Sequence, residues 1–181
     1  LTPECLLDAV ESTGLACDGR INALNSYENR VYQVWLQNGK AGDCVVAKFY
    51  RPRRWSRAAI LEEHAYALAL AAAELPVVAP LAFDGRTLFE HGGFMLALYP
   101  RQGGRTPEFE DEDTLRWLGR FIGRIHAIGA LEDFAHRPQL GWKEFGEAPL
   151  HYLLQHDFVP ADLRAAYETT ALDVLDRVKQ R

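Results

Sequence analysis

At 181 residues, 48% hydrophobic and 25% charged, with a formal net charge of -5, the chain has the make-up of a globular protein that buries a sizeable core as one domain or two small lobes. The acidic balance leaves no basic footprint for nucleic acid, and no apolar run reaches the roughly 20 residues of a membrane span. Cys5, Cys17 and Cys44 are odd in number and lack metal-ligand spacing, which fits reduced thiols in a cytoplasmic protein.

The chain opens at Leu1 rather than a methionine, which leaves its true N-terminus open, and no signal-peptide pattern is visible. Thr2-Pro3-Glu4 is a helix-start signal; Leu6, Leu7 and Val10 follow at helical spacing, and Gly14 stops the helix. The polar, turn-prone stretch from Asn22 to Arg30 leads into a strand, Val31 to Leu36. Asn38-Gly39 is a hairpin signal, and a strand from Cys44 to Tyr50 returns after it. Arg51-Pro52-Arg53-Arg54-Trp55 breaks that strand, and Ser56 caps a helix running to about Glu74. Leu75 to Pro80 reads as another extended segment, followed by a hairpin of Arg86–Phe89 and Phe94–Tyr99 around His91-Gly92-Gly93. No connection is long enough for repeated parallel crossovers, so the expected fold class is α+β: an antiparallel sheet with one helix laid on it.

After Gly103-Gly104 the strand signals stop, which sets expected lobes of 1–104 and 105–181. Leu115, Leu118, Phe121, Ile122, Ile125 and Ile128 trace an apolar stripe of helical period ended by Gly129, with His126 near the C-terminal end of the helix. His136 to Gly141 reads as loop, and a last helix, about Ala161 to Val178, carries Leu163, Tyr167, Thr170, Val174 and Val178 on one face. That face implies a partner surface.

Strand alternation puts Cys44, Val46, Lys48 and Tyr50 on one side and Val45, Ala47 and Phe49 on the other. Lys48 alone reads as a snorkelling lysine at a strand edge. The following helix changes this, because Glu63 shares a face with Ala59, Ile60, Tyr66 and Ala67 and is the more inward of Glu62 and Glu63. An inward lysine and an inward glutamate are each costly alone and reasonable as a pair, and kinase-type phosphate clamps use such a pair to aim an ammonium at a phosphate. The loop Asn25 to Arg30 stands where a phosphate loop would be but lacks glycine; Ser26 and backbone N–H groups could bind phosphate, and a plain hairpin turn fits equally well. Leu96-Ala97-Leu98-Tyr99 with Pro100 reads either as a hinge whose backbone pairs with adenine or as an apolar strand ending at a turn. His64 is expected on the helix surface. His156-Asp157-Phe158 lacks the downstream asparagine of a catalytic loop and is rejected as one, and no Cys or His cluster suits zinc.

Residues 24–33, Lys48-Phe49-Tyr50-Arg51-Pro52-Arg53-Arg54-Trp55, Ile60-Leu61-Glu62-Glu63-His64 and His136-Arg137-Pro138 resemble the bacterial stress response kinase A family, Ser/Thr protein kinases with an aminoglycoside-phosphotransferase-like fold. The resemblance covers nearly the whole chain. It implies a kinase-like nucleotide-binding lobe followed by the first helices of a truncated helical lobe. It also implies Mg-ATP as phosphoryl donor and a protein Ser or Thr as acceptor, with a small-molecule kinase or a non-catalytic binding module as alternatives. Ser26 would lie in the ATP-covering loop, Lys48 would bind phosphate with Glu63 as its partner, and Ala97 and Tyr99 would sit at the hinge. The family's catalytic His-Gly-Asp loop, its asparagine and its magnesium-binding aspartate are expected beyond Arg181, so no catalytic or metal-binding residue is assigned within this chain.

Overall fold

The computed structural model describes residues 1–37 and 43–180. Helix α1 (Pro3–Glu11) starts where Thr2 accepts the Cys5 N–H on its side chain and Pro3 fills the first turn, where a missing N–H costs nothing. Then come β1 (Cys17–Leu24), β2 (Arg30–Leu36), β3 (Cys44–Phe49), α2 (Arg57–Ala72), β4 (Phe89–His91) and β5 (Phe94–Pro100). The five strands form one antiparallel sheet in the order β1-β2-β3-β5-β4. Ser56 caps α2 by accepting the Ala59 N–H at 3.1 Å, as its position in the sequence requires.

Three local expectations are corrected. Residues 22–24, the start of the stretch expected to be turn-prone, belong instead to the end of β1. β1 is an edge strand with most side chains exposed, an irregular register between Cys17 and Ile21, and Gly19 at positive φ, so it carries little of the alternation that marks a strand. The stretch 75–80 joins no strand: Pro76 and Pro80 have no N–H to give a ladder, and the chain touches β5 only afterwards, through Leu81 N–H to Leu98 O at 2.7 Å. The second hairpin begins at Phe89 rather than Arg86, because Phe83 and Arg86 first close a tight turn on each other. The Asn38-Gly39 hairpin lies outside the described residues.

Alternation sorts the sheet into two faces. Val34, Val45, Ala47, Phe49, Leu96 and Leu98 pack with Leu6, Ala9 and Val10 of α1 in the main core. The opposite face gathers Tyr50, Ala97 and the partly buried Tyr99 against Ile60 of α2 and Leu88. Helix α3 (Glu112–Gly129) follows, N-capped by Asp111, and buries none of its residues. It meets α2 where the Tyr66 hydroxyl donates to Ile125 O at 2.7 Å.

Residues Leu1–His136 form one compact unit and Arg137–Arg181 a second. In the second, a π-helical turn (Lys143–Glu147) runs into α4 (Ala148–Gln155), and α5 (Arg164–Lys179) packs back through Leu150, Leu154 and Leu175. The last helix thus starts later than the sequence reading had it, and α4 stands before it. Among the described residues no helix is long and apolar enough to cross a membrane.

Candidate nucleotide site

The antiparallel register sets Lys48 of β3 opposite Val31 of β2 and Ala97 of β5, with its side chain on the face that α2 covers. Across from it, α2 presents Glu63, and Lys48 Nζ donates to Glu63 Oε1 at 2.9 Å. The two side chains are 21% and 36% exposed, so the pair is neither a fully desolvated ion pair nor a free surface one. Lys48 Nζ also lies 4.7 Å from the centre of the Tyr50 ring, whose π-face favours the cation. The pair stands in a cleft of about 400 Å³ walled by Val31 and Val46 from the sheet, Ala67 of α2, Val78, and the end of β5 with Tyr99 and Pro100. An oriented ammonium at one end and apolar walls leading to a strand end suit an anionic ligand with a flat apolar part.

The other sequence-derived candidates lie at different distances from this cleft. Tyr99 is in its wall. Ala97 is fully buried beneath it, opposite Lys48, and packs with Tyr50, Ile60 and Leu88. Ser26 is exposed outside the wall, and its hydroxyl donates to the Asn29 carbonyl, closing the turn between β1 and β2. That turn is held in place by Glu28, which accepts from Trp55 Nε1 at 2.6 Å and Arg54 Nε at 3.1 Å, while Asn29 Oδ1 accepts the Arg51 N–H. The indole hydrogen bond, followed by that of Arg54, keeps the Glu28 carboxyl below the usual carboxylate range.

His64 departs from the expectation of a surface residue. It is 1% exposed, with Nε2 2.7 Å from the Tyr50 hydroxyl and Nδ1 2.8 Å from Thr87 Oγ1. Burial, followed by the charge on Lys48, pushes its pKa down to about 4. Glu62, read from sequence as the more outward carboxylate, accepts the backbone N–H groups of Ala135 and His136. Nothing local in the sequence marks Glu28, Thr87 or Glu62; their partners come from 23 to 74 residues away in the chain.

His156 Nδ1 lies 2.9 Å from Tyr152 O, and Asp157, at positive φ, accepts from Arg164, so this pair shapes the turn between α4 and α5. Among the described residues no cluster of three or more His, Cys, Asp or Glu is placed to hold a metal ion.

The phosphotransferase enzyme family matches the chain over residues 20–180. Stress response kinase A of Escherichia coli (strain K12) is 41% identical over 167 residues, covering 92% of this chain and 50% of that protein. The serine/threonine protein kinase RdoA of Salmonella typhimurium (strain LT2) shows the same identity and coverage. The chain thus spans about half the length of the curated relatives it matches. Among solved structures, the amicoumacin kinase hAmiN in complex with AMP-PNP, Ca2+ and Ami superposes with a TM-score of 0.71 at 19% identity, over 95% of this chain and 52% of that one. This last likeness is one of fold.

Proposed function

The chain belongs to the phosphotransferase enzyme family, and from that premise we propose that it is the ATP-binding part of a cytoplasmic Mg-ATP-dependent Ser/Thr protein kinase acting in the stress response. The observation that carries this reading is the Lys48–Glu63 bond of 2.9 Å inside a cleft walled by Tyr99. In this role Lys48 holds the nucleotide phosphates and Glu63 fixes the direction of its ammonium. Ala97 and Tyr99 carry the strand end at which the base docks, and Ser26 belongs to the turn above the phosphates. Residues 1–104 act as the nucleotide lobe and 105–181 as the start of the helical lobe. The exposed apolar side chains Leu115, Trp117 and Ile122 of α3, and Val174 and Val178 of α5, are covered by the rest of that lobe. The general base and magnesium ligands come from that part as well, so residues 1–181 alone carry no phosphotransfer.

A second reading, a kinase of small alcohols or amines, is favoured by the likeness in fold to hAmiN, an amicoumacin kinase seen in complex with AMP-PNP and Ami. The experiment uses the protein from its complete reading frame, incubated with labelled ATP and generic protein substrates, then with small alcohols and amines. Label transferred to a Ser or Thr of itself or another protein supports the first reading. Transfer only to small molecules overturns it in favour of the second, and no transfer from ATP to any acceptor overturns both.

A further inference from the structure

We propose that His64 is a positioning residue: bridging Thr87 and Tyr50, it fixes the rotation of α2 so that Glu63 meets Lys48. The inference rests on the reading of Lys48 as the phosphate-binding lysine.

Three separate elements converge on one imidazole. Thr87 lies two residues before β4, Tyr50 immediately follows β3, and His64 sits on α2 one residue after Glu63. The three are 8%, 2% and 1% exposed, so water is a poor substitute for any of these hydrogen bonds. A neutral imidazole has one N–H and one lone pair, and both are used when the Tyr50 hydroxyl donates to Nε2 and Nδ1–H donates to Thr87. The Tyr99 hydroxyl, 3.3 Å from that of Tyr50, extends the chain into the wall of the cleft.

The consequence for Glu63 is geometric. Adjacent helix residues lie about 100° apart around the axis, so a helix that turns to satisfy His64 also sets the direction of Glu63. A purely apolar contact such as that of Ile60, buried one turn earlier on α2, tolerates rotation. Two hydrogen bonds made on opposite sides of one ring do not. Tyr50 closes the loop, since its hydroxyl holds His64 while its ring lies 4.7 Å from the Lys48 ammonium. The same side chain therefore reports the position of α2 to the lysine.

The test measures kcat and KM for ATP in the complete protein for Thr87→Val, Tyr50→Phe, His64→Phe, His64→Asn and His64→Gln, with thermal melting alongside. Asn reaches the Nδ1 contact and Gln the Nε2 contact, so each restores one half of the bridge. The expected result is a roughly 10- to 100-fold loss of kcat/KM for His64→Phe in protein that remains folded, the scale of a reacting group misplaced by about 1 Å. Partial rescue by Asn or Gln is expected, with smaller losses for Thr87→Val and Tyr50→Phe. The decisive readout is coupling: in a Glu63→Gln background, His64→Phe and Thr87→Val should cost little more, because the contact they position is already weakened. Losses that multiply independently in that background overturn the inference, as do folded variants with wild-type kinetics. Should His64→Phe fail to fold, Thr87→Val decides alone, since it removes one hydroxyl at nearly constant volume. Lys48→Ala, run in parallel, separates the two levels. If it retains full activity the nucleotide-site reading itself fails, whereas an inactive Lys48→Ala beside unaffected His64 and Thr87 variants overturns only the positioning role.

Discussion

Lys48→Ala separates chemistry from stability more sharply than any other change in the cleft. On the stability side the loss is small. Exposed ion pairs contribute about 0–1 kcal/mol, whereas breaking a fully buried one costs about 3–5 kcal/mol. With the lysine 21% and the glutamate 36% exposed, Glu63 keeps access to water once its partner is gone, so the cost lies near the lower bound. Loss of the cation–π contact with Tyr50 adds about 0.5–1 kcal/mol, partly offset because an ammonium no longer has to be desolvated. A total of about 1 kcal/mol corresponds to a fall of roughly 2–8 °C in Tm. On the catalytic side, removing one preorganised donor from a developing charge costs about 10²–10³ in kcat. The assay is phosphotransfer by the complete protein at saturating ATP, with circular dichroism melting on the same preparations. Activity equal to wild type refutes the role assigned to Lys48. A Tm drop large enough to unfold the protein at assay temperature refutes the claim that the effect is chemical.

Glu63→Gln should act in the same direction but more weakly, by roughly 5- to 30-fold in kcat/KM for ATP, because the ion pair becomes an ammonium-to-amide hydrogen bond that orients Lys48 less firmly while the lysine stays cationic; steady-state kinetics at varied ATP check this. Trp55→Phe removes the donor at 2.6 Å from Glu28 and should raise KM for ATP several-fold with kcat largely kept, since it loosens the turn at residues 25–29 and leaves Lys48 in place. Gly146→Ala should destabilise the second unit by about 1–3 kcal/mol, because a Cβ there would meet Leu175 Cδ2 at 2.3 Å; local hydrogen exchange in α4 and α5 would register it. Acid should destabilise the first unit through His64: the folded pKa, about 4, lies below the ordinary value of 6.5, so the contribution is fully present above pH 6.5 and is lost as pH falls towards 4. Urea midpoints between pH 7 and 4 should fall more steeply for wild type than for His64→Gln.

What the sequence made legible follows from what its patterns encode. β3 and β5 read clearly because one face of each packs into the main core with α1 while the other is half-buried in β3 and buried at Ala97 of β5, and mostly apolar runs such as Cys44 to Phe49 admit few other structures. The helix caps Thr2 and Ser56 read clearly because capping is decided within three residues. The edge strand β1 was hidden, since an exposed strand paired on one side needs neither alternation nor bulk. Lys48 and Glu63 could be paired in advance because an unpaired charge on an apolar face is costly, and that cost is visible in sequence. The Glu28–Trp55 and Glu62–Ala135 bonds were invisible because the partners are surface-compatible residues whose meeting depends on the folded path of the chain.

The error over His64 has a physical origin in the make-up of α2. A helix packed on a single core shows one apolar stripe, but α2 has neighbours on several sides. Ile60 faces the sheet core, Glu63 faces Lys48, His64 faces Thr87 and Tyr50, Glu62 faces the backbone at 135–136, and Tyr66 reaches α3. Polar residues on such a helix are partnered rather than solvated, so the usual inference from polarity to exposure fails along Glu62-Glu63-His64. Of the alanines of α2, Ala59 is buried while Ala65, Ala69, Ala71 and Ala72 are exposed, where they favour the helix at little entropic cost. The same feature suits α2 to its role. A helix held by hydrogen bonds on several sides has one allowed rotation, and a carboxylate that must meet an ammonium at 2.9 Å needs that constraint more than it needs buried area.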